Sequence, residues 1–156
     1  MLRISKLTDY GTLIMVHMAS LPLEVHRASE LAEHLGLGQP TVSKVLKLLA
    51  RHELVNSLRG AHGGYVLARS PHTITVADIV DALEDQAFGL TECSSASGLC
   101  GREAQCRIRD SWLHINAVVR RALEAVNLAD MAGPSVHADR GHPIHGPGSS
   151  IKPALS

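Results

Sequence analysis

At 156 residues the chain is long enough for one domain of ordinary size, and 45% hydrophobic content is enough to fill a core. Only 3% is aromatic, so that core is mostly Leu, Val, Ile and Ala, which favours helices. Zero net charge at first argues against nucleic acid, and the absence of any run of about 18 apolar residues argues against a membrane span.

The opening residues carry Arg3, Lys6, Asp9 and His17 and are too polar for a secretory signal, so a cytoplasmic, reducing location is expected. A first helix is predicted over Asp9–Ala19, with Leu13, Ile14, Val16 and Met18 as its apolar positions and Thr8 or Asp9 as N-cap. Leu21-Pro22-Leu23 ends it, because proline disfavours helical geometry in the residue before it. A second helix is predicted over Arg27–Leu35, with Ser29 as N-cap and Leu31, Ala32 and Leu35 inward.

After the turn Gly36-Leu37-Gly38, Pro40 opens a third helix at a position where its missing N–H costs nothing, and this helix runs to about His52. Val42, Val45, Leu46, Leu48 and Leu49 face inward; Thr41, Ser43, Lys44 and Lys47 face outward. Two helices around a short glycine turn, the second with a polar and basic outer face, form the helix-turn-helix pattern. Leu54–Leu58 then alternates as a strand, residues 59–64 are a glycine-rich turn, and Tyr65–Ala68 returns as a second strand. A hairpin directly after a recognition helix is a wing. A phosphate-cradling nucleotide loop is the rival reading of these glycines, but no Lys-Ser/Thr pair follows and the loop leads into a strand.

Thr75 caps a further helix predicted to reach Asp85. The Ser- and Gly-rich segment Thr91–Cys106 is expected to hold no regular element through Ser94–Gly101. A long helix is predicted from about Arg107 to Asp130, with Trp112, Ile115, Val119, Ala122 and Val126 at helical spacing and Leu113, Val118 and Leu123 widening the stripe. So wide a stripe reads as a homodimer interface; packing back on its own wing domain is the alternative. Gly-Pro pairs after Ala132 break any periodicity, so residues 132–156 are expected to be disordered, and His137, His142 and His145 there have no scaffold to hold a metal.

The expected architecture is mainly α with a small β-hairpin. A winged helix-turn-helix spans 1–90, a cysteine loop 91–106, a dimerisation helix 107–131 and a tail 132–156. Charge follows the same division. Residues 1–70 carry eight Lys/Arg against five Asp/Glu, whereas residues 71–131 carry five against nine. A basic half can face phosphate while an acidic half faces away.

The three cysteines, Cys93, Cys100 and Cys106, all lie in one 14-residue stretch. An odd local cluster is a poor disulfide framework but a plausible holder for a soft metal. Zinc is a competitor. Usual zinc sites, however, pair cysteines two to four residues apart, and spacings of six and five suit a loop wrapped over a larger cluster better. Metal-free thiol switching is a third reading. No nucleotide loop or Ser/His/Asp set stands out, so no enzyme is expected; an electron-transfer protein or a non-DNA scaffold are the remaining rivals.

Lys6-Leu7-Thr8-Asp9-Tyr10, the segment from Leu31-Ala32 through Leu48, the stretch from Arg59 to Ala68 and the order of the three cysteines together resemble the IscR/NsrR-type winged-helix iron–sulfur regulators. The resemblance covers about residues 1–130 and, within the family, is greatest to regulators of SUF-type cluster-assembly operons. It implies an iron–sulfur cluster, of two or four irons, held by Cys93, Cys100 and Cys106. Some members place a histidine three residues beyond the last cysteine; here that position is Arg109, which does not ligate. In others an acidic residue of the first helix reaches across the dimer, and Asp9 matches it. His34, in the second helix, is the alternative fourth ligand; Glu92, Glu103 and His114 are more remote ones.

A homodimer on a pseudo-palindromic operator in double-stranded DNA is expected. Gln39, Thr41, Ser43 and Lys44 would meet base edges or phosphates, and Lys47 and Arg51 the backbone, unless Arg51 pairs with Glu53. Arg59, with His62, would enter the minor groove. The implied function is cluster-dependent repression of iron–sulfur assembly genes, with nitric-oxide or redox sensing as the alternative.

Overall fold

A computed structural model describes residues 4–84 and 88–133. In chain order it contains α1 (Lys6–Ser20), α2 (Ala28–Leu35), α3 (Gln39–Arg51), the strands β1 (Val55–Leu58) and β2 (Gly64–Leu67), α4 (Val76–Leu83), α5 (Glu92–Ser95), α6 (Arg109–Glu124) and α7 (Leu128–Ala132). Single 3₁₀ turns lie at Pro71–Thr73 and Glu103–Gln105. The residues expected to be a disordered tail fall, from 134 onward, outside the described residues, as does Asp85.

The core forms where α1 packs on α2, α3, α4 and α7. Ile14, Met15, Met18, Val42, Val45, Leu46, Leu49, Ile74, Ile79 and Leu128 are fully buried there. Gly11 lets α1 approach α4, because a Cβ at that position would overlap the Leu83 side chain.

Helix α1 begins one turn earlier than its apolar pattern suggests. Ser5, not Thr8 or Asp9, is the N-cap and accepts from the Thr8 N–H at 3.1 Å. Thr8 is buried within the helix instead. Ser29 likewise lies inside α2, whose N-cap is Arg27 with no side-chain cap bond. Gly36 closes α2 in the left-handed conformation, φ 64°, and Pro40 stands in the first turn of α3 as expected.

The wing pairs β1 with β2 antiparallel, Val55 opposite Leu67 and Leu58 opposite Gly64. His26 adds a bridge to its far edge, exchanging both backbone bonds with Tyr65 at 2.8 Å. At the tip Gly60 has φ 111°, and a Cβ on Gly63 would overlap the Leu58 carbonyl oxygen. The outer strand of the hairpin is therefore tied to the residue preceding the α2 N-cap.

The long C-terminal helix is interrupted. α6 ends at Glu124, and Asn127 starts α7 through a capping box with Asp130, its side chain accepting from the Asp130 N–H at 3.0 Å. Val76 N–H donates to the Val126 carbonyl and Leu128 N–H to the Ile74 carbonyl, at 2.9 and 2.8 Å. The chain thus returns to the winged domain, where Leu128 is fully buried. Leu128→Ala is expected to destabilise the fold by about 2–5 kcal/mol, the cost of a large-to-small change in a closed core, measurable by urea unfolding.

α6 itself buries no residue. Ile108, Trp112, Ile115 and Val118 recur at helical spacing and are 36–58% exposed. Its opposite side rests on α4, held there by Arg120, which donates to both Asp81 oxygens at 2.6 and 2.7 Å. Among the described residues no helix is long and apolar enough to cross a membrane.

Candidate nucleic-acid interface and cysteine loop

One face of α3 carries the basic and polar side chains expected of a recognition helix. Ser43, Lys44, Lys47 and Arg51 line an open groove with Pro40 and Leu48. Gln39, Lys44, Lys47 and Arg51 are exposed, and Thr41 and Ser43 are half-buried. Among the described residues Arg51 makes no ion pair with Glu53, so its charge is available to phosphate. Arg59 and His62 are exposed at the wing tip.

Arg27 also serves this surface. It lies 3.5 Å from Glu30 and donates to the Ala61 carbonyl at 3.3 Å, tying the start of α2 to the wing tip. Sequence reading gave it no role, because its partner is 34 residues away.

The second site is the cysteine loop. All three cysteines are free; Cys93 is buried, and Cys100 and Cys106 are half-buried. Contrary to expectation, part of the loop is regular. Thr91 caps the single-turn helix α5 through reciprocal bonds with Ser94, and its hydroxyl stands 3.2 Å from Cys93 Sγ. The loop is also fastened to α6 at both ends. Leu90 N–H donates to Asn116 Oδ1 at 3.1 Å. Glu103 accepts from Gly98 N–H at 2.6 Å and from Arg109 Nη2 and Nε at 2.7 and 3.1 Å. The Gly98 N–H and the Arg109 guanidinium hold the Glu103 carboxyl below its ordinary pKa, and Glu103 in turn raises that of Arg109. So Arg109 holds the loop in shape, and Glu103 is occupied rather than offered to a metal.

The fourth-ligand candidates separate clearly. Asp9 is exposed on the first turn of α1 and, among the described residues, takes no hydrogen bond or ion pair; helix capping falls to Ser5. Glu92 and His114 are exposed. His34 is exposed on α2, but its ring lies 4.5 Å from that of His17, eight residues and about 12 Å along α1 from Asp9. Among the described residues no three His, Cys, Asp or Glu side chains of one chain already stand at ligand spacing. The donor chemistry nonetheless suits an iron–sulfur cluster, with three free thiols on one short segment anchored at each end.

The loop and the reading head are joined by a continuous series of contacts. The loop is bonded to α6 as above, and Arg120 bonds α6 to α4. At the end of α4, Glu84 accepts from Ser5 N–H at 3.1 Å and from the Thr8 hydroxyl, so it grips the start of α1 beside Asp9. Burial raises the Glu84 pKa, but the bonds from Thr8 and Ser5 outweigh it and the net shift is downward. A carboxylate with a lowered folded-state pKa stabilises the fold at neutral pH, and this contribution is lost as pH falls through that value. The difference in melting temperature between the chain and Glu84→Gln is therefore expected to be largest near pH 7 and to shrink in acid.

The comparisons with known proteins agree with this geometry. Residues 4–134 match the family described as Rrf2, iron-dependent transcriptional regulator. The protein aau3 of Rhizobium meliloti (strain 1021) is 33% identical over 124 residues, 80% of this chain and 76% of that protein. The structure of CymR (YrzC), the global cysteine regulator of B. subtilis, superposes with a TM-score of 0.67 at 28% identity, covering 85% of this chain and 97% of that one. T. potens IscR superposes with a TM-score of 0.63 at 29% identity, covering 83% and 85%. The chain belongs to the Rrf2 family and is a winged-helix transcriptional regulator rather than an enzyme.

Proposed function

We propose that this regulator is an iron–sulfur-dependent, DNA-binding repressor of iron–sulfur assembly genes, acting as a homodimer on a pseudo-palindromic operator. The observation that carries the reading is the grouping of Cys93, Cys100 and Cys106 on a loop pinned to α6 and connected through α4 to the start of α1. Cys93, Cys100 and Cys106 would hold the cluster, with Asp9 of the partner subunit as fourth ligand. When bound, it would supply a centre whose oxygen ligand is harder and more exchangeable than thiolate, fitting a sensor rather than an electron carrier. Nitric oxide or redox state are alternative signals for the same site.

The exposed apolar stripe Ile108, Trp112, Ile115 and Val118 supports dimerisation through α6, since an uncovered stripe of this kind on a helix marks an interaction surface. In the dimer the two α3 helices would enter major grooves about 34–36 Å apart. Gln39, Thr41, Ser43 and Lys44 would meet bases or phosphates, Lys47 and Arg51 the backbone, and Arg59 with His62 the minor groove.

Three free thiols in one loop also suit a thiol switch or zinc, and composition decides between them. Anaerobically purified protein is expected to contain iron and sulfide and to absorb in the visible, and colourless, iron-free protein would reject the reading. Asp9→Ala is expected to leave the fold intact and to shorten the lifetime of the visible absorption in air. An unchanged lifetime would move the fourth ligand elsewhere.

A further inference from the structure

Three histidines that serve neither the recognition helix nor the cysteine loop meet at one joint of the winged domain. His17 lies in the last turn of α1, His34 in the last turn of α2, and His26 immediately before α2. The His17 ring is 4.5 Å from that of His34 and 5.7 Å from that of His26, centre to centre. Two imidazoles on one tetrahedral ion, with metal–nitrogen bonds of about 2.0–2.1 Å, have ring centres about 5 Å apart, between these two values. Among the described residues neither His17 nor His34 spends a ring nitrogen on a hydrogen bond.

His26 is the rigid member. It is buried, its backbone is paired with Tyr65, and its Nε2 lies 3.2 Å from the Leu21 carbonyl oxygen. A carbonyl only accepts, so Nε2 is the donor in this bond. An imidazole whose outer N–H donates to a backbone carbonyl is the usual support of a metal-bound histidine.

We propose that His17 and His34 form a binding site for a borderline divalent cation of the zinc class, separate from the cysteine loop, with His26 or water completing the shell. Imidazole-rich sites select such metals. Among the described residues no three donors stand at ligand spacing, so the histidine pair provides the initial grip. A cation there would clamp the end of α1 to the end of α2, beside the strand bridge that holds the wing, and so stiffen the reading head. It also gives His34 a role other than fourth ligand to iron.

The test is a calorimetric titration of the full-length Cys93→Ser/Cys100→Ser/Cys106→Ser chain with Zn²⁺, which removes thiolate competition. Its partner variant also replaces His137, His142 and His145 with alanine, which removes the other histidine-rich segment. One Zn²⁺ per chain is expected in both. His17→Gln and His34→Gln, each checked for an unchanged circular dichroism spectrum, are expected to weaken binding at least about tenfold. His34 is exposed, so its replacement leaves the core intact. Absence of Zn²⁺ binding, binding unaffected by both substitutions, or binding that disappears only with the tail histidines would overturn the site. None of these outcomes bears on the iron content of the cysteine loop.

Discussion

Replacing Cys93, Cys100 and Cys106 together with serine is expected to abolish bound iron and sulfide and to change operator affinity about 5–150-fold, the range of a coupling of about 1–3 kcal/mol. Melting of the winged core should barely move. Two of the three thiols are only half-buried, and the loop keeps its metal-independent ties, Leu90 to Asn116 and Glu103 to Gly98 and Arg109. A large effect on DNA with a small effect on folding is what separates a regulatory loop from a structural one. Binding by fluorescence anisotropy and unfolding by circular dichroism on the same preparation distinguish the two. Equal affinity before and after substitution would remove the loop from regulation.

The second large effect concerns salt. Each Lys or Arg that neutralises a phosphate adds about 0.9 to the slope of log affinity against log salt. Lys44→Ala/Lys47→Ala/Arg51→Ala should therefore flatten the slope by about 2.7 if all three meet phosphate. Between 50 and 200 mM salt the unsubstituted protein would then lose about 40-fold more affinity than the variant. All three side chains are exposed on one face of α3, so their removal should leave stability nearly unchanged. A slope that does not change would place DNA on another surface. A control at Lys6, exposed at the start of α1, should change the slope little.

The helix-turn-helix and wing were readable because their signals are local. Val42, Val45, Leu46 and Leu49 repeat at helical spacing, Pro40 marks a helix start, and glycines at 60, 63 and 64 mark a tight hairpin; the helix stands where the sequence placed it, and the strands fall within one residue of their expected bounds, with Gly64 already in β2. The break between α6 and α7 was less visible, since Val126 continues the apolar period of α6. The Asn127-x-x-Asp130 capping box was the signal that could have found it. Ser5 was missed as a cap because Thr8 and Asp9 looked equally suitable, and burial of Thr8 against Glu84, 76 residues away, decides the matter. Long-range pairs such as Arg120–Asp81 and the histidine joint leave no periodic trace, and only the packed fold brings them together. The cysteines were legible as a group; the shape of their loop depended on Glu103 and Arg109, whose bonding no spacing rule encodes.

The most direct measurement compares operator affinity of one anaerobic preparation before and after its iron is removed by a chelator, with iron and sulfide counted in both samples. Loss of iron and sulfide is expected to be accompanied by a change in affinity of at least about fivefold. A preparation that holds the operator equally well in both states, or that contains no iron to remove, would contradict it.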